Sequence, residues 1–101
     1  MNIDIKSANG HVVAVLSGEI DHHNAKEIRT KLDKYIITVQ PSEFTMDFSN
    51  ITFMDSSGIG LIMGRSRLMR EWGGNLEVRD PQPYIRRVLK LAGMERIVKI
   101  T

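Results

Sequence analysis

The stretch Met54-Asp55-Ser56-Ser57-Gly58-Ile59-Gly60 gathers a carboxylate, two adjacent hydroxyls and a glycine into one turn. Asp55, Ser56 and Ser57 are all N-cap residue types, and Ile59, Ile62, Met63, Ser66 and Met69 follow at helical spacing. The hydroxyls therefore belong to the point where a strand passes into a helix. Free amides and the positive end of the helix dipole favour an anion there, by about 0.3 to 1 kcal/mol at exposed sites and up to ~2 kcal/mol in partly buried ones. A phosphate on Ser57 is compatible with such a turn. Gly58 has no side chain, so a partner enzyme has close access to the hydroxyl. A capping serine with no further role is the commoner identity for such a residue, and Ser56 competes with Ser57 for both roles.

A second polar cluster, Gly18-Glu19-Ile20-Asp21-His22-His23-Asn24, precedes another helical pattern. In open α/β sheets function collects at the carboxyl ends of the strands. If the strands leading to the two clusters are neighbours, Asp21 and Asp55 both lie near Ser57. Two carboxylates there suit a magnesium ion carried in with ATP, or serve to orient the serine, or are simple caps. His22 and His23 are poor metal ligands, because adjacent residues at a helix start point apart and no third ligand follows at metal-site spacing. They read as surface or partner-contact residues. A hydrolase elbow needs glycines two before and two after the serine, where this chain has Asp55 and Ile59. A glycine loop followed by lysine, as in phosphate-binding loops, is absent. Neither a bound metal nor a resident cofactor is expected.

The elements that position these clusters follow from periodicity. Ile3 and Ile5 alternate with polar residues, Asn9-Gly10 is a hairpin signal, and His11 to Leu16 is valine-rich, which predicts two paired strands. Ala25, Ile28, Leu32 and Tyr35 or Ile36 then recur at helical spacing as far as Pro41, with Asp21 or Asn24 as cap. Phe44, Met46 and Phe48 alternate in a third strand, and strand, helix, strand is a parallel crossover. The second helix spans about Ser57 to Trp72 and stops at Gly73-Gly74. Gly60 and Gly64 are expected to pack it closely on the sheet, and Met54, Met63 and Met69 to fill core. A strand at Leu76 and Val78, a helix from Pro83 with Ile85, Val88, Leu89 and Ala92, and a last strand near Ile97, Val98 and Ile100 complete the chain. The expected fold is α/β: a mixed sheet of about four to five strands covered by about three to four helices, in one domain over residues 1–101.

Composition is that of an ordinary globular domain. The formal charge of +2 is too small to argue for nucleic acid, and Arg86, Arg87 and Lys90 read as a solvated helix face. Without cysteine there is neither disulfide nor thiolate metal site, and no window approaches the ~20 apolar residues of a membrane span. A cytoplasmic protein without a membrane role is the expectation.

Ser17-Gly18-Glu19-Ile20-Asp21-His22-His23-Asn24-Ala25 and Met46-Asp47-Phe48 through Phe53-Met54-Asp55-Ser56-Ser57-Gly58-Ile59-Gly60-Leu61-Ile62-Met63-Gly64-Arg65 together resemble the STAS-domain anti-sigma factor antagonists, in their sporulation branch. Arg86 to Met94 resembles that family's third helix and its ending. The resemblance implies that Ser57 is phosphorylated by a partner that is both anti-sigma factor and serine kinase, with ADP or ATP bound. It implies that the unmodified form displaces sigma-F from that partner, and that a serine phosphatase resets the cycle. It further implies partner contacts at Asp21, His22, His23, Asn24, Asp55, Ser56, Gly58, Ile59 and Gly60. Where many relatives carry a further C-terminal helix, this chain stops just past its last strand. A stress-response antagonist is the nearest rival, and a serine hydrolase the rival from another class.

Overall fold

The computed structural model describes residues 1–101. Strands β1 (Asn2–Ala8) and β2 (His11–Ile20) form the antiparallel hairpin that Asn9-Gly10 predicts, both turn residues having positive φ (53° and 78°). Helix α1 (Ala25–Val39) crosses over to β3 (Glu43–Met54), and α2 (Ser56–Arg70) leads to β4 (Asn75–Arg79). Helix α3 (Pro83–Leu91), begun by a proline as expected, and a short 3-10 turn (Met94–Arg96) lead to β5 (Lys99–Ile100). The five strands lie in chain order, with β2, β3, β4 and β5 parallel and β1 antiparallel at one edge. The expected mixed α/β sheet is the observed one.

Val12, Ala14, Leu16, Phe44, Met46, Phe48 and Val78 of the sheet are buried together with Ile28, Leu32 and Ile36 of α1, Ile62 and Met69 of α2, and Ile85 and Leu89 of α3. Burying one such side chain contributes about 1.5 to 3 kcal/mol, so this common core sets the relative placement of strands and helices.

Several expectations need correction. The inward face of α2 is Gly58, Leu61, Ile62, Arg65, Ser66 and Met69; Ile59 is half-buried and Met63 is 36% exposed. Met54 and Met69 are core, whereas Met63 is surface. A Cβ at Gly60 or Gly64 would meet nothing within 4 Å, so these glycines do not pack the helix onto the sheet. Helix α2 ends at Arg70, and Trp72 lies beyond it, donating from Nε1 to the Pro41 carbonyl at 2.8 Å. Ile97 is exposed, and the last strand is only Lys99–Ile100.

Strand β3 runs further than its alternation predicts, because its pairing with β2 slips twice. Val15 faces Asp47, but Ser17 faces Asn50; Gly18 faces Ile51, but Glu19 faces Phe53. Each slip gives β3 an additional residue, the signature of a bulge. At the first, Asp47 Oδ1 accepts from both the Ser49 amide (2.9 Å) and the Ser49 hydroxyl (2.6 Å). The second leaves Thr52 and Phe53 consecutively exposed before Met54 returns to the core.

Candidate functional site

The register Ile20↔Met54 brings the carboxyl ends of β2 and β3 side by side, and the Asp55 amide donates to the Ile20 carbonyl at 3.1 Å. The two polar clusters are therefore neighbours, as the parallel crossover requires.

Asp55 is the N-cap of α2. Its backbone is extended, its Oδ1 accepts from the Ser57 amide at 2.8 Å, and its carbonyl accepts from the Gly58 amide at 3.0 Å. Its other oxygen, Oδ2, accepts from the His22 amide at 3.2 Å and lies 3.6 Å from His22 Nδ1. Hydrogen bonds from the Ser57 amide and hydroxyl, and secondarily from His22, outweigh desolvation and hold the Asp55 carboxyl below its usual value. The cap is thus neither Ser56 nor Ser57. Ser56 is exposed at the first helical position, and Ser57, at the second, is half-buried.

Asp21 is committed to its own turn. Its Oδ1 accepts from the His23 amide (2.9 Å) and the Asn24 amide (3.1 Å), while Asn24 Oδ1 accepts from the Asp21 amide (3.0 Å) and Asn24 Nδ2 donates to the Glu19 carbonyl (2.7 Å). Asn24 occupies the N-cap position of α1 without a side-chain cap bond. Of the alternatives open for the two carboxylates, the geometry favours capping for Asp55, which also orients Ser57, whereas Asp21 closes the turn that precedes α1. No cluster of three metal-ligating side chains occurs. His22 and His23 do not point apart: their rings pack at a centroid distance of 4.0 Å with a 37° tilt, and both are exposed.

Gly58 is buried rather than open to a partner. A Cβ there would come within 2.3 Å of Met54 Cγ and Sδ, so the glycine is required by the core beneath the turn. Gly60 is exposed, and with Ser56, Ile59 and Met63 it forms the outer face of the first two turns of α2.

Three basic residues at this site escape sequence reading. A cleft of about 390 Å³ beside Ser57 is lined by His22, Lys26 and Arg29 on one side and by Gly60 and Arg65 on the other. Lys26 and Arg29 stand three residues apart on one face of α1, and that spacing was the available signal. Arg65, one of three arginines on α2, is only 6% exposed and lies 2.7 Å from Asp33 of α1 through its Nε. Phe53, 45% exposed at the end of β3, adds an apolar patch next to the turn.

Comparison with known proteins agrees with this architecture. The STAS domain family model matches residues 2–101. The chain is 35% identical over 100 residues to the anti-sigma F factor antagonist of Paenibacillus polymyxa, covering 99% of this chain and 86% of that protein. It is 25% identical to the anti-sigma-B factor antagonist of Bacillus subtilis, covering 91% of it. Among solved structures, unphosphorylated SpoIIAA, an anti-sigma factor antagonist, superposes with a TM-score of 0.85 at 30% identity, over 99% of this chain and 88% of that one. The phosphorylated form of SpoIIAA from Bacillus gives 0.76 at 30% identity, over 99% and 91%. Carrying the paired clusters on a five-stranded mixed sheet and matching along nearly its whole length, the chain belongs to the STAS-domain family, among the anti-sigma factor antagonists.

Proposed function

We propose that the chain acts as a phosphorylation-switched antagonist in sporulation. Unmodified, it docks on an anti-sigma factor that is also a serine kinase, with ADP or ATP bound, and so frees sigma-F. The kinase phosphorylates Ser57, the complex separates, and a serine phosphatase restores the hydroxyl. The docking face is the outer edge of the two clusters: His22, His23 and Asn24 beside Ser56, Ile59 and Gly60, with Asp21 and Asp55 holding the backbone beneath them.

One observation carries this reading. Asp55 performs the capping that would otherwise explain a serine at this turn, so the Ser57 hydroxyl is not needed as a cap and lies at the rim of a cleft in ordinary helical backbone. A phosphoserine bears about −1.5 to −2 charges at neutral pH, and enclosing it in an interface shaped for a neutral hydroxyl is unfavourable. Ser57 does not sit on the strained turn of a hydrolase nucleophile: the positive-φ residues are elsewhere, at Asn9, Gln40 and Asp80 among non-glycines. The higher identity to the anti-sigma F antagonist than to the anti-sigma-B one favours sporulation over stress response.

Reaction with the cognate kinase and ATP, followed by phosphopeptide mass spectrometry, tests the assignment. Phosphate on Ser57, abolished in Ser57→Ala, is expected. Phosphate on Ser56 alone, or ester turnover lost in Ser57→Ala, would overturn it.

A further inference from the structure

The cleft beside Ser57 holds converging positive charge that docking alone does not explain. Lys26 and Arg29 project from the exposed face of α1, Arg65 closes the other side, and no carboxylate lines the space. Arg65 Nη1 is buried without a hydrogen-bond partner. Its Nε, although 2.7 Å from Asp33 Oδ1, is not aligned for a hydrogen bond, so Asp33 answers this guanidinium by charge alone. Burial lowers the proton affinity of Arg65, Asp33 raises it, and Arg29 lowers it again, which places the two guanidinium groups within electrostatic reach of each other. Three cations around an empty space, one of them nine-tenths buried and incompletely bonded, form a site for an anion.

We infer that the phosphate carried by Ser57 is held in this cleft by Lys26 and Arg29, against the field of Arg65. This rests on the reading of Ser57 as the modified residue and says where the modification goes. Phosphate offers three strong acceptor oxygens, and its bonds to lysine and arginine are charge-assisted. Asp55, bonded to the Ser57 amide, repels the dianion, whereas the N-terminus of α2 attracts it. The repulsion turns the phosphate away from the capping carboxylate and towards the cations of the cleft, while the helix terminus keeps it close to the turn. His22, at the cleft's edge and 3.6 Å from Asp55 Oδ2, is the other titratable group facing the space. Phosphorylation then neutralises a basic patch as well as adding a charge at the turn.

The test places phosphoserine at position 57 during translation, so that no kinase is needed, and follows the second phosphate ionisation by ³¹P NMR as pH is varied. An unconstrained phosphoserine titrates near pH ~6. The wild-type chain is expected to titrate at least about half a unit below the Lys26→Ala/Arg29→Ala double variant, with Arg29→Lys in between. Both substituted positions are exposed, and an amide spectrum of each variant checks folding. Lys31→Ala/Lys34→Ala removes the same charge from the same helix outside the cleft and is expected to titrate nearly as wild type. Coincident titration of wild type and the cleft variant, or an equal displacement in the Lys31/Lys34 control, would overturn the inference. Because phosphate is installed directly, a kinase that modifies another residue would refute the functional reading without changing this result.

Discussion

Asp55 serves two segments with one carboxylate, one oxygen on the Ser57 amide and the other on the His22 amide, so it ties the β2–α1 turn to the start of α2. Its folded-state carboxyl is held below the unfolded value of 3.8, which means that its contribution to stability is present above about that pH and is lost as pH falls through the lower folded value. Asp55→Asn is therefore expected to lower Tm at pH 7, with the gap from wild type closing below about pH 4. Calorimetry across pH 2.5 to 7 checks this, and a gap that stays constant in acid would place the effect elsewhere. The glycines separate by the same reasoning. Gly58→Ala forces Met54 to move and is expected to cost about 1 to 3 kcal/mol by denaturant titration. Gly60→Ala meets open space and is expected to be neutral or stabilising by up to about 1 kcal/mol.

At the scale of elements, α1 and α2 are tied by the Arg65–Asp33 contact, whose side chains are 7% and 28% exposed. Removing one partner leaves a charge that burial disfavours, whereas removing both does not. Asp33→Ala is expected to cost about 2 kcal/mol, and Asp33→Ala/Arg65→Met clearly less. Additive losses in the double variant would show that the pair carries no coupling. The bulges of β3 matter for a different reason. They leave Phe53 outside the core, and Phe53→Ala is expected to weaken partner binding about tenfold while changing stability by no more than about 0.5 kcal/mol. These two features also mark the limit of what residue patterns convey. The hairpin at Asn9-Gly10, the crossover through α1 and the start of α3 at Pro83 rest on local signals and appear where those signals place them. Arg65 is buried because Asp33 faces it from another helix, and Phe53 is exposed because β3 slips against β2; neither cause is local in the chain. The site divides the same way. The pairing of the Asp21 and Asp55 clusters follows from parallel topology, but which of three candidate residues caps α2 depended on the actual path of the turn.

At the scale of the whole molecule, the switch proposed above is expected to require little movement. The solved SpoIIAA in its phosphorylated form retains the fold seen here, and the turn bearing Ser57 is anchored by Asp55 above and by buried Met54 and Gly58 beneath. Altered charge at a fixed surface then suffices for the proposed switch: the state of the Ser57 oxygen alone decides whether the kinase partner docks. The direct measurement is the affinity of the nucleotide-loaded anti-sigma kinase for three forms of this chain: unmodified, Ser57→Ala, and phosphoserine at position 57. Comparable binding of the first two and a loss of about 5- to 150-fold for the third is predicted, the range of a coupling of 1 to 3 kcal/mol. Equal affinity for the unmodified and phosphoserine forms would contradict it.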